Sequence, residues 1–144
     1  MIRHFIYPVL LTKQSEGGYL VEFPDIPEAI TQGETVELSL QEAADCLEEA
    51  IANRMAMKNN IPNPGIPTKK QHSVALHATV AAKAALYLAM REKKLSNTAL
   101  AKKLDCDEKE VRRLLDPYYR SRLSRIEQAL QLLGKQLEVS VVRL

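Results

Sequence analysis

The 144-residue chain contains no tryptophan, only two cysteines, and no apolar run approaching the roughly 18 residues of a membrane span. Cys46 and Cys106 lie far apart and belong to no paired motif, which excludes a disulfide framework and indicates thiols in a reducing compartment. The apolar stretch at residues 2–11 is broken by Pro8 and lacks a small-residue cleavage site, so it is not typical of a signal peptide. We therefore expect a cytoplasmic protein with no membrane partner.

Sequence signals for metal binding and nucleophilic catalysis are also missing. The three histidines, His4, His72 and His77, show neither the HExxH pattern nor the Cys/His spacing of a zinc site. Cys46 has no histidine nearby in sequence, which argues against a cysteine nucleophile. We expect no metal site and no cofactor.

Charge is distributed unevenly along the chain, although the net charge is only +2. Through Lys70 there are six Lys and Arg residues against ten Asp and Glu residues, a net charge of −4. From Gln71 onward there are fourteen against eight, a net charge of +6. The basic half suits a polyanion and the acidic half suits a basic protein, with a solvated mixed surface as the alternative for each.

The first half is patterned as strands around one helix. Apolar alternation predicts a hairpin of strands over residues 2–12 and 19–23, and a short third strand over residues 29–32. The two glycines at positions 17 and 18 permit the turn of that hairpin. One further strand is predicted over residues 73–77, which completes a β-β-β-α-β module.

The helix of that module is predicted to begin at Ser39, because Ser39 and Glu42 form a capping-box pattern. Apolar residues then recur at spacings of three and four as far as Met55, as in an amphipathic helix packed on a sheet. Residues 59–70 contain three prolines and a glycine, which predicts an extended connector.

The second half contains a helix-turn-helix pattern at residues 97–115. Small Ala101 precedes Val111 by ten residues, the spacing at which two short helices cross closely around a small side chain. Ser96 and Asp107 are the predicted N-caps of the two helices. A second helix that is apolar inside and cationic outside, held by a first helix, fits the DNA major groove.

Helices are also predicted from Ala78 and over residues 122–133, the latter stopped by Gly134. Residues 135–142 alternate apolar and polar side chains and predict a final strand. Because an isolated strand is unstable, we expect this one to pair with its equivalent in a second chain or with the N-terminal sheet.

The cations of the second half are the candidate DNA contacts. Arg112 or Arg113, on the exposed face of the second helix, could grip guanine, at about 1–3 kcal/mol of discrimination each. The alternative is a solvated charged face, or a salt bridge between Arg112 and Glu108. The other cations either share that helix face or are placed to hold phosphates, which position a protein without reading sequence. They are Lys102, Lys103, Lys109, Arg120, Arg122 and Arg125.

Three stretches of this chain together resemble the HicB antitoxins of type II toxin–antitoxin systems. They are residues 17–33 (GGYLVEFPDIPEAITQG), 80–90 (VAAKAALYLAM) and 108–130 (EKEVRRLLDPYYRSRLSRIEQAL). The resemblance implies an N-terminal partial RNase H-like fold and a DNA-binding domain of the helix-turn-helix subtype. Asp105 stands where glycine is common in such turns, and aspartate tolerates the left-handed backbone better than most residues.

The resemblance also implies a partner, the HicA toxin, a small ribonuclease of double-stranded-RNA-binding fold that cleaves mRNA using a histidine. The N-terminal domain would cover the toxin, and the C-terminal domain would repress the shared operon. An acidic helix face would complement the basic surface that RNA binding requires. For the FPDIP turn, the alternative is simple packing on the core helix. The candidate toxin contacts are Phe23, Asp25, Ile26, Glu48 and Glu49.

Catalysis is not expected of this chain. An active RNase H-like enzyme needs several carboxylates converging on two Mg²⁺ ions, but the first predicted strand carries none. The acidic residues Asp45, Glu48 and Glu49 instead share a helix face.

We therefore predict an α+β protein of two domains. A partial RNase H-like β-β-β-α-β domain that binds the toxin covers residues 1–78, including the proline-rich segment 59–70, and a helix-turn-helix domain for DNA binding and dimerisation covers residues 79–144. The expected partners are a HicA-type toxin, operator double-stranded DNA and another copy of the chain, because one helix-turn-helix offers few contacts for a specific operator. The alternatives are a stand-alone helix-turn-helix regulator with a ligand-sensing N-terminal domain, and a degraded nuclease.

Overall fold

The computed structural model describes residues 2–143, which contain four strands and five helices. The chain divides into two compact units, Met1–Ala81 and Ala82–Leu144, called here the first and the second unit. The β-β-β-α-β order followed by helices confirms the predicted α+β class. In chain order the elements are β1 (Ile6–Lys13), β2 (Tyr19–Glu22), β3 (Ile30–Gly33), α1 (Val36–Ala56), β4 (His72–Ala75), α2 (Ala78–Lys93), α3 (Asn97–Leu104), α4 (Glu108–Leu115) and α5 (Leu123–Leu132).

The four strands form one antiparallel sheet in the order β3-β2-β1-β4. The predicted hairpin of β1 and β2 is confirmed, with Leu11 opposite Val21. Its turn uses Gly17 and Gly18, whose φ angles of 102° and 75° lie in the left-handed region that favours glycine. Because β1 is central, it carries fully buried side chains, among them Tyr7 and Val9.

Helix α1 begins earlier than the capping-box pattern predicts, so the prediction of Ser39 as its N-cap is wrong. The N-cap is Thr35, whose side chain accepts a hydrogen bond from the Leu38 amide. Ser39 is instead buried within the helix, where Gly33 approaches it closely. A Cβ on Gly33 would lie 2.6 Å from the Ser39 Cα, so β3 and α1 pack together only because Gly33 has no side chain.

The proline-rich segment 59–70 joins α1 to β4 within the first unit and packs on that unit. Ile61 is fully buried, and the Tyr7 hydroxyl donates to the Pro62 carbonyl at 2.7 Å. The Gly65 amide donates to the Asp25 carboxylate at 2.8 Å. The segment is therefore extended, as predicted, but tied down by side chains from the sheet and from the turn after β2.

The second unit is built around one apolar cluster drawn from all its helices. Ala101 and Val111, the pair expected at the crossing of α3 and α4, are both buried, and Ile126 of α5 is fully buried beside them. The other large contributors come mainly from α2, α3 and α5 and are Leu86, Met90, Leu100, Leu104, Leu114, Leu130 and Leu133.

The final strand predicted over residues 135–142 is not formed. Residues 135–143 are neither helix nor strand, and Val139 and Val141 are exposed. The sheet of the first unit consists of β3, β2, β1 and β4 and does not include this segment. Its pairing with a second copy of the chain stays a prediction. No helix in the described part of the chain is long and apolar enough to cross a membrane.

Candidate nucleic-acid interface and acidic helix face

A side-chain cap begins each of α3 and α4, and one left-handed residue forms the turn between them. Ser96 accepts a hydrogen bond from the Ala99 amide at 3.1 Å, and Asp107 accepts one from the Glu110 amide at 2.9 Å, so both predicted N-caps are confirmed. Asp105 ends α3 with φ 54° and ψ 50°, the left-handed conformation that glycine would have supplied. The sequence therefore specifies a defined turn without glycine.

Helix α4 is apolar on its inner side and cationic on its outer side. Val111 and Leu114 are buried in the cluster of the second unit, whereas Lys109, Arg112 and Arg113 are exposed. The spacing of three residues between the two buried side chains leaves the rest of each helical turn to solvent. This is the geometry expected of a helix that offers charge to a polyanion.

The two acidic residues on α4 are paired with arginines of the same unit. Glu108 forms a salt bridge with Arg112 at 2.9 Å, one of the alternatives considered from the sequence. Glu110 accepts from the Arg125 guanidinium at 2.7 Å, and this hydrogen bond holds the pKa of the Glu110 carboxyl below its usual value. The carboxylates are thereby partly neutralised, and Arg125 links α5 to α4.

The turn after α4, residues 116–122, presents further exposed cations. Arg120 and Arg122 are exposed, and the Arg113 guanidinium lies over the Tyr119 ring, 5.3 Å from its centroid. Within residues 2–143, six of the eight candidate DNA contacts form no salt bridge with a carboxylate. These six are Lys102, Lys103, Lys109, Arg113, Arg120 and Arg122.

Lys83 on α2 also belongs to this region, although no sequence motif assigns it there. Only 1% of it is exposed, yet its ammonium donates to the carbonyls of Arg113, Asp116 and Tyr119 and to the Ser121 hydroxyl. Burial lowers the pKa of Lys83, and the nearby Asp116 carboxylate opposes that shift. The available signal was a lone lysine in an alanine-rich helical stretch, a place where an unpaired charge is costly.

On the first unit, the acidic face of α1 is present, but two of the five candidate toxin contacts are buried. Glu49 is exposed, and the Glu48 carboxylate, 23% exposed, pairs with the His77 ring. Phe23 and Ile26 are 2% and 0% exposed, which agrees with the alternative of a turn packed on the core. Their burial removes both side chains from the toxin-facing surface expected from the sequence.

Asp45, Glu48 and His77 come close enough to offer three ligands to a metal ion, with ligand atoms within 4.8 Å of one another. His77 follows β4 rather than belonging to it, which differs from the strand predicted over residues 73–77. Glu48 and His77 already satisfy each other by a hydrogen bond, and Asp45 and His77 are exposed. The hydrogen bond between Glu48 and His77 ties the segment after β4 to α1.

Neither cysteine has the environment of a nucleophile. Burial is the first cause that raises the pKa of the Cys46 thiol, and nearby acidic side chains raise it further. Burial likewise raises the pKa of the Cys106 thiol. Both residues thus favour the protonated thiol over the reactive thiolate.

The chain is similar to known antitoxins over nearly its whole length. A family model described as a HicB-like antitoxin of a bacterial toxin–antitoxin system matches residues 6–85. Antitoxin HicB of Escherichia coli strain K12 is 34% identical over 136 residues, which span 94% of this chain and 99% of that protein. Antitoxin HicB 2 of Photorhabdus laumondii is 35% identical over 142 residues, spanning 99% and 100%. Antitoxin HicB of Pseudomonas fluorescens is 30% identical over 129 residues, spanning 89% and 88%.

Proposed function

Because the chain belongs to the family of HicB-like antitoxins, we propose that its first unit neutralises a HicA-type mRNA-cleaving toxin and its second unit represses their shared operon. The toxin would be inhibited sterically, by a protein surface that blocks the approach of RNA. The antitoxin itself would cleave nothing and would need no cofactor. The observation that carries the DNA-binding half is the capped helix-turn-helix whose outer face is cationic.

Two kinds of contact support operator binding by the second unit. Arg112 and Arg113 on α4 would read base edges, since exposed arginines on a recognition helix can bond guanine bidentately. The exposed lysines and arginines around that helix would hold phosphates on both sides of it. Two copies of the chain would then occupy two half-sites of one operator.

The double variant Arg112→Ala, Arg113→Ala tests this half of the proposal. We expect operator affinity to fall by about 100-fold, since each arginine contributes about 1–3 kcal/mol of base recognition. The DNA immediately upstream of the gene is the probe, measured by fluorescence anisotropy at fixed salt. The control variant Lys93→Ala, Lys135→Ala removes the same charge from the second unit away from α4. Equal losses in both variants would contradict the assignment of α4 as the recognition helix.

Toxin neutralisation is supported by the acidic face of α1. The first unit has a net charge of −4, and its Glu49 side chain is exposed beside the Glu48–His77 pair. A ribonuclease must carry a basic surface to hold its RNA, so an acidic protein face can compete for that surface. Phe23 and Ile26 would support this face from within the unit rather than contact the toxin.

Co-purification with the product of the adjacent short gene, followed by an RNA cleavage assay, tests this second half. We expect a stable complex and suppressed cleavage with the wild-type chain, and about tenfold weaker binding with Glu48→Lys, Glu49→Lys because like charges then face each other. The control Glu16→Lys, Glu34→Lys makes the same charge change elsewhere on the first unit. Failure of the wild-type chain to form a complex, with operator binding intact, would instead favour a stand-alone regulator.

A further inference from the structure

We propose that Lys83 is a positioning residue for DNA binding: its buried ammonium holds the turn after α4 in the conformation that presents Arg113, Arg120 and Arg122. The proposal rests on the operator-binding function proposed above and adds a residue that does not itself reach the DNA. Lys83 is 1% exposed, so it is shielded from direct contact with a phosphate.

The geometry around the ammonium is that of a central anchor. Its three N–H protons are shared among three carbonyl oxygens, at 3.0, 2.7 and 2.6 Å from Nζ, and the Ser121 hydroxyl oxygen at 2.9 Å. The three carbonyls belong to Arg113, Asp116 and Tyr119, which lie on α4, at its C-cap and in the following turn. One side chain from α2 thereby gathers nine consecutive residues, 113–121, around a single charge.

A lysine is suited to this role because the acceptors share one sign of partial charge. The carbonyls at the end of α4 lie at the negative pole of the helix, where a cation interacts well with the helix dipole. The Arg113 and Asp116 carbonyls each accept one backbone amide, from Asp116 at 3.2 Å and from Tyr119 at 3.1 Å, and still accept from Lys83 because a carbonyl oxygen has two lone pairs. A neutral side chain of similar length would remove the ammonium donor from all three carbonyl oxygens. The charge is therefore balanced by backbone oxygens rather than by a buried carboxylate.

The same turn carries the arginines of the candidate interface. Tyr119, whose carbonyl is held by Lys83, places its ring beneath the Arg113 guanidinium at 5.3 Å. Arg120 lies between the two held residues Tyr119 and Ser121, and Arg122 follows directly and is the N-cap of α5. Release of the turn would therefore displace all three arginines without removing any of them.

The salt dependence of operator binding by Lys83→Met is the test of this role. Loss of the phosphate contacts of Arg120 and Arg122 should lower the slope of log affinity against log salt by about 1.8, with affinity at least about tenfold weaker. Lys135→Met is the matched control, because it removes one exposed lysine of the same unit and should lower the slope by at most about 0.9. Toxin inhibition by the full-length Lys83→Met chain should match the wild type.

Amide hydrogen exchange over residues 113–122 directly measures how firmly the turn is held, with the exchange rates of α3 as the internal reference. Faster exchange confined to residues 113–122 in Lys83→Met supports the proposal, and wild-type exchange there overturns it. Wild-type affinity and slope in folded Lys83→Met would also overturn it. If Lys83→Met does not fold, Ser121→Ala removes one of the four acceptors of the ammonium. Faster amide exchange over residues 113–122 in that variant would then support the proposal, and wild-type exchange would overturn it.

The outcome for Lys83 can be separated from that for operator binding. A wild-type chain that binds no upstream DNA would end the proposed repression, whereas exchange over residues 113–122 would still show whether Lys83 holds the turn. A wild-type chain that binds DNA while Lys83→Met shows neither local exchange nor a changed slope would end only the proposal for Lys83.

Discussion

The two units of this protein treat charge in opposite ways. In the first unit, two arginines are engaged internally: Arg3 donates to the Ile61 carbonyl and to Asn63, and Arg54 pairs with Glu28. In the second unit it is acidic side chains that are engaged, as in the pairs Glu108–Arg112 and Glu110–Arg125. Each ion pair engages one charge of either sign, so it leaves the net charges of −4 and +6 unchanged but engages a larger share of the minority charge of its unit.

This contrast teaches where specificity can reside in a small two-part protein. An acidic surface beside a sheet and a cationic surface on short helices favour partners of opposite charge. Each surface depends on packing beneath it, since exposed charges are useful only where the backbone is held. If the two units are independent, a change in the core of one should leave the activity of the other intact.

The largest loss of stability is expected from a substitution that creates a cavity in the core of one unit and leaves the other core unchanged. Leu100→Ala in the second unit should destabilise that unit by about 2–5 kcal/mol and abolish operator binding, because Leu100 is fully buried in its cluster. Leu47→Ala, at a fully buried position of the first unit, should instead impair toxin inhibition. Calorimetry and the two binding assays check this. One cooperative transition with both activities lost in both variants would refute the independence of the units.

An intermediate loss of stability is expected when alanine replaces Gly33, where space is limiting, or Gly134, where the backbone angle is limiting. Gly33→Ala should destabilise the first unit by about 1–3 kcal/mol, because the new Cβ would meet the backbone of Ser39 in α1 at 2.6 Å. Gly134→Ala should cost the second unit about 1 kcal/mol through its φ of 76° alone, since nothing lies within 4 Å of that position. Urea titration of both variants measures the costs. A smaller loss for Gly33→Ala than for Gly134→Ala would show that β3 and α1 can move apart.

The smallest change in stability is expected when a charge is removed from Glu28 or Glu110, two partly exposed carboxylates that each pair with an arginine. A hydrogen bond from Arg54 lowers the pKa of Glu28, and one from Arg125 lowers that of Glu110. Their stabilisation is thus present above the usual carboxyl pKa of 4.5 and is lost as pH falls through the folded-state values. Glu28→Gln and Glu110→Gln should each cost at most about 1 kcal/mol at neutral pH, because solvent screens both pairs. Urea midpoints of these variants should converge with those of the wild type in acid; an undiminished difference below about pH 4 would contradict this account.

Much of the fold could be predicted because its signals are local. The alternation in β1 and β2, the glycine turn between them, and the caps Ser96 and Asp107 all act within a few residues of the structure they specify. The left-handed conformation of Asp105 could likewise be predicted, since aspartate is among the few residues that tolerate it. The cationic outer face of α4 followed from the helical period alone.

The errors share a non-local cause. The pattern at Ser39 satisfies the rule for a helix N-cap, but Thr35 caps the helix. Ser39 is instead buried where Gly33 packs closely against it. The alternation at residues 135–142 predicts a strand, yet a strand forms only where another backbone pairs with it. The proline-bounded turn suggests a contact surface that includes Phe23 and Ile26, but both side chains are buried.

The sequence by itself determined the order of the elements, the division of charge and the identity of the residues on α4, because period, caps and composition are properties of neighbouring residues. Tertiary structure alone decided which charges remain on the surface and which are consumed. Lys83 and the turn around residues 113–121 illustrate the reason: an ammonium on α2 and the carbonyls it holds are some 30 residues or more apart in the chain. Only folding brings them within hydrogen-bonding distance, and burial then makes that interaction obligatory.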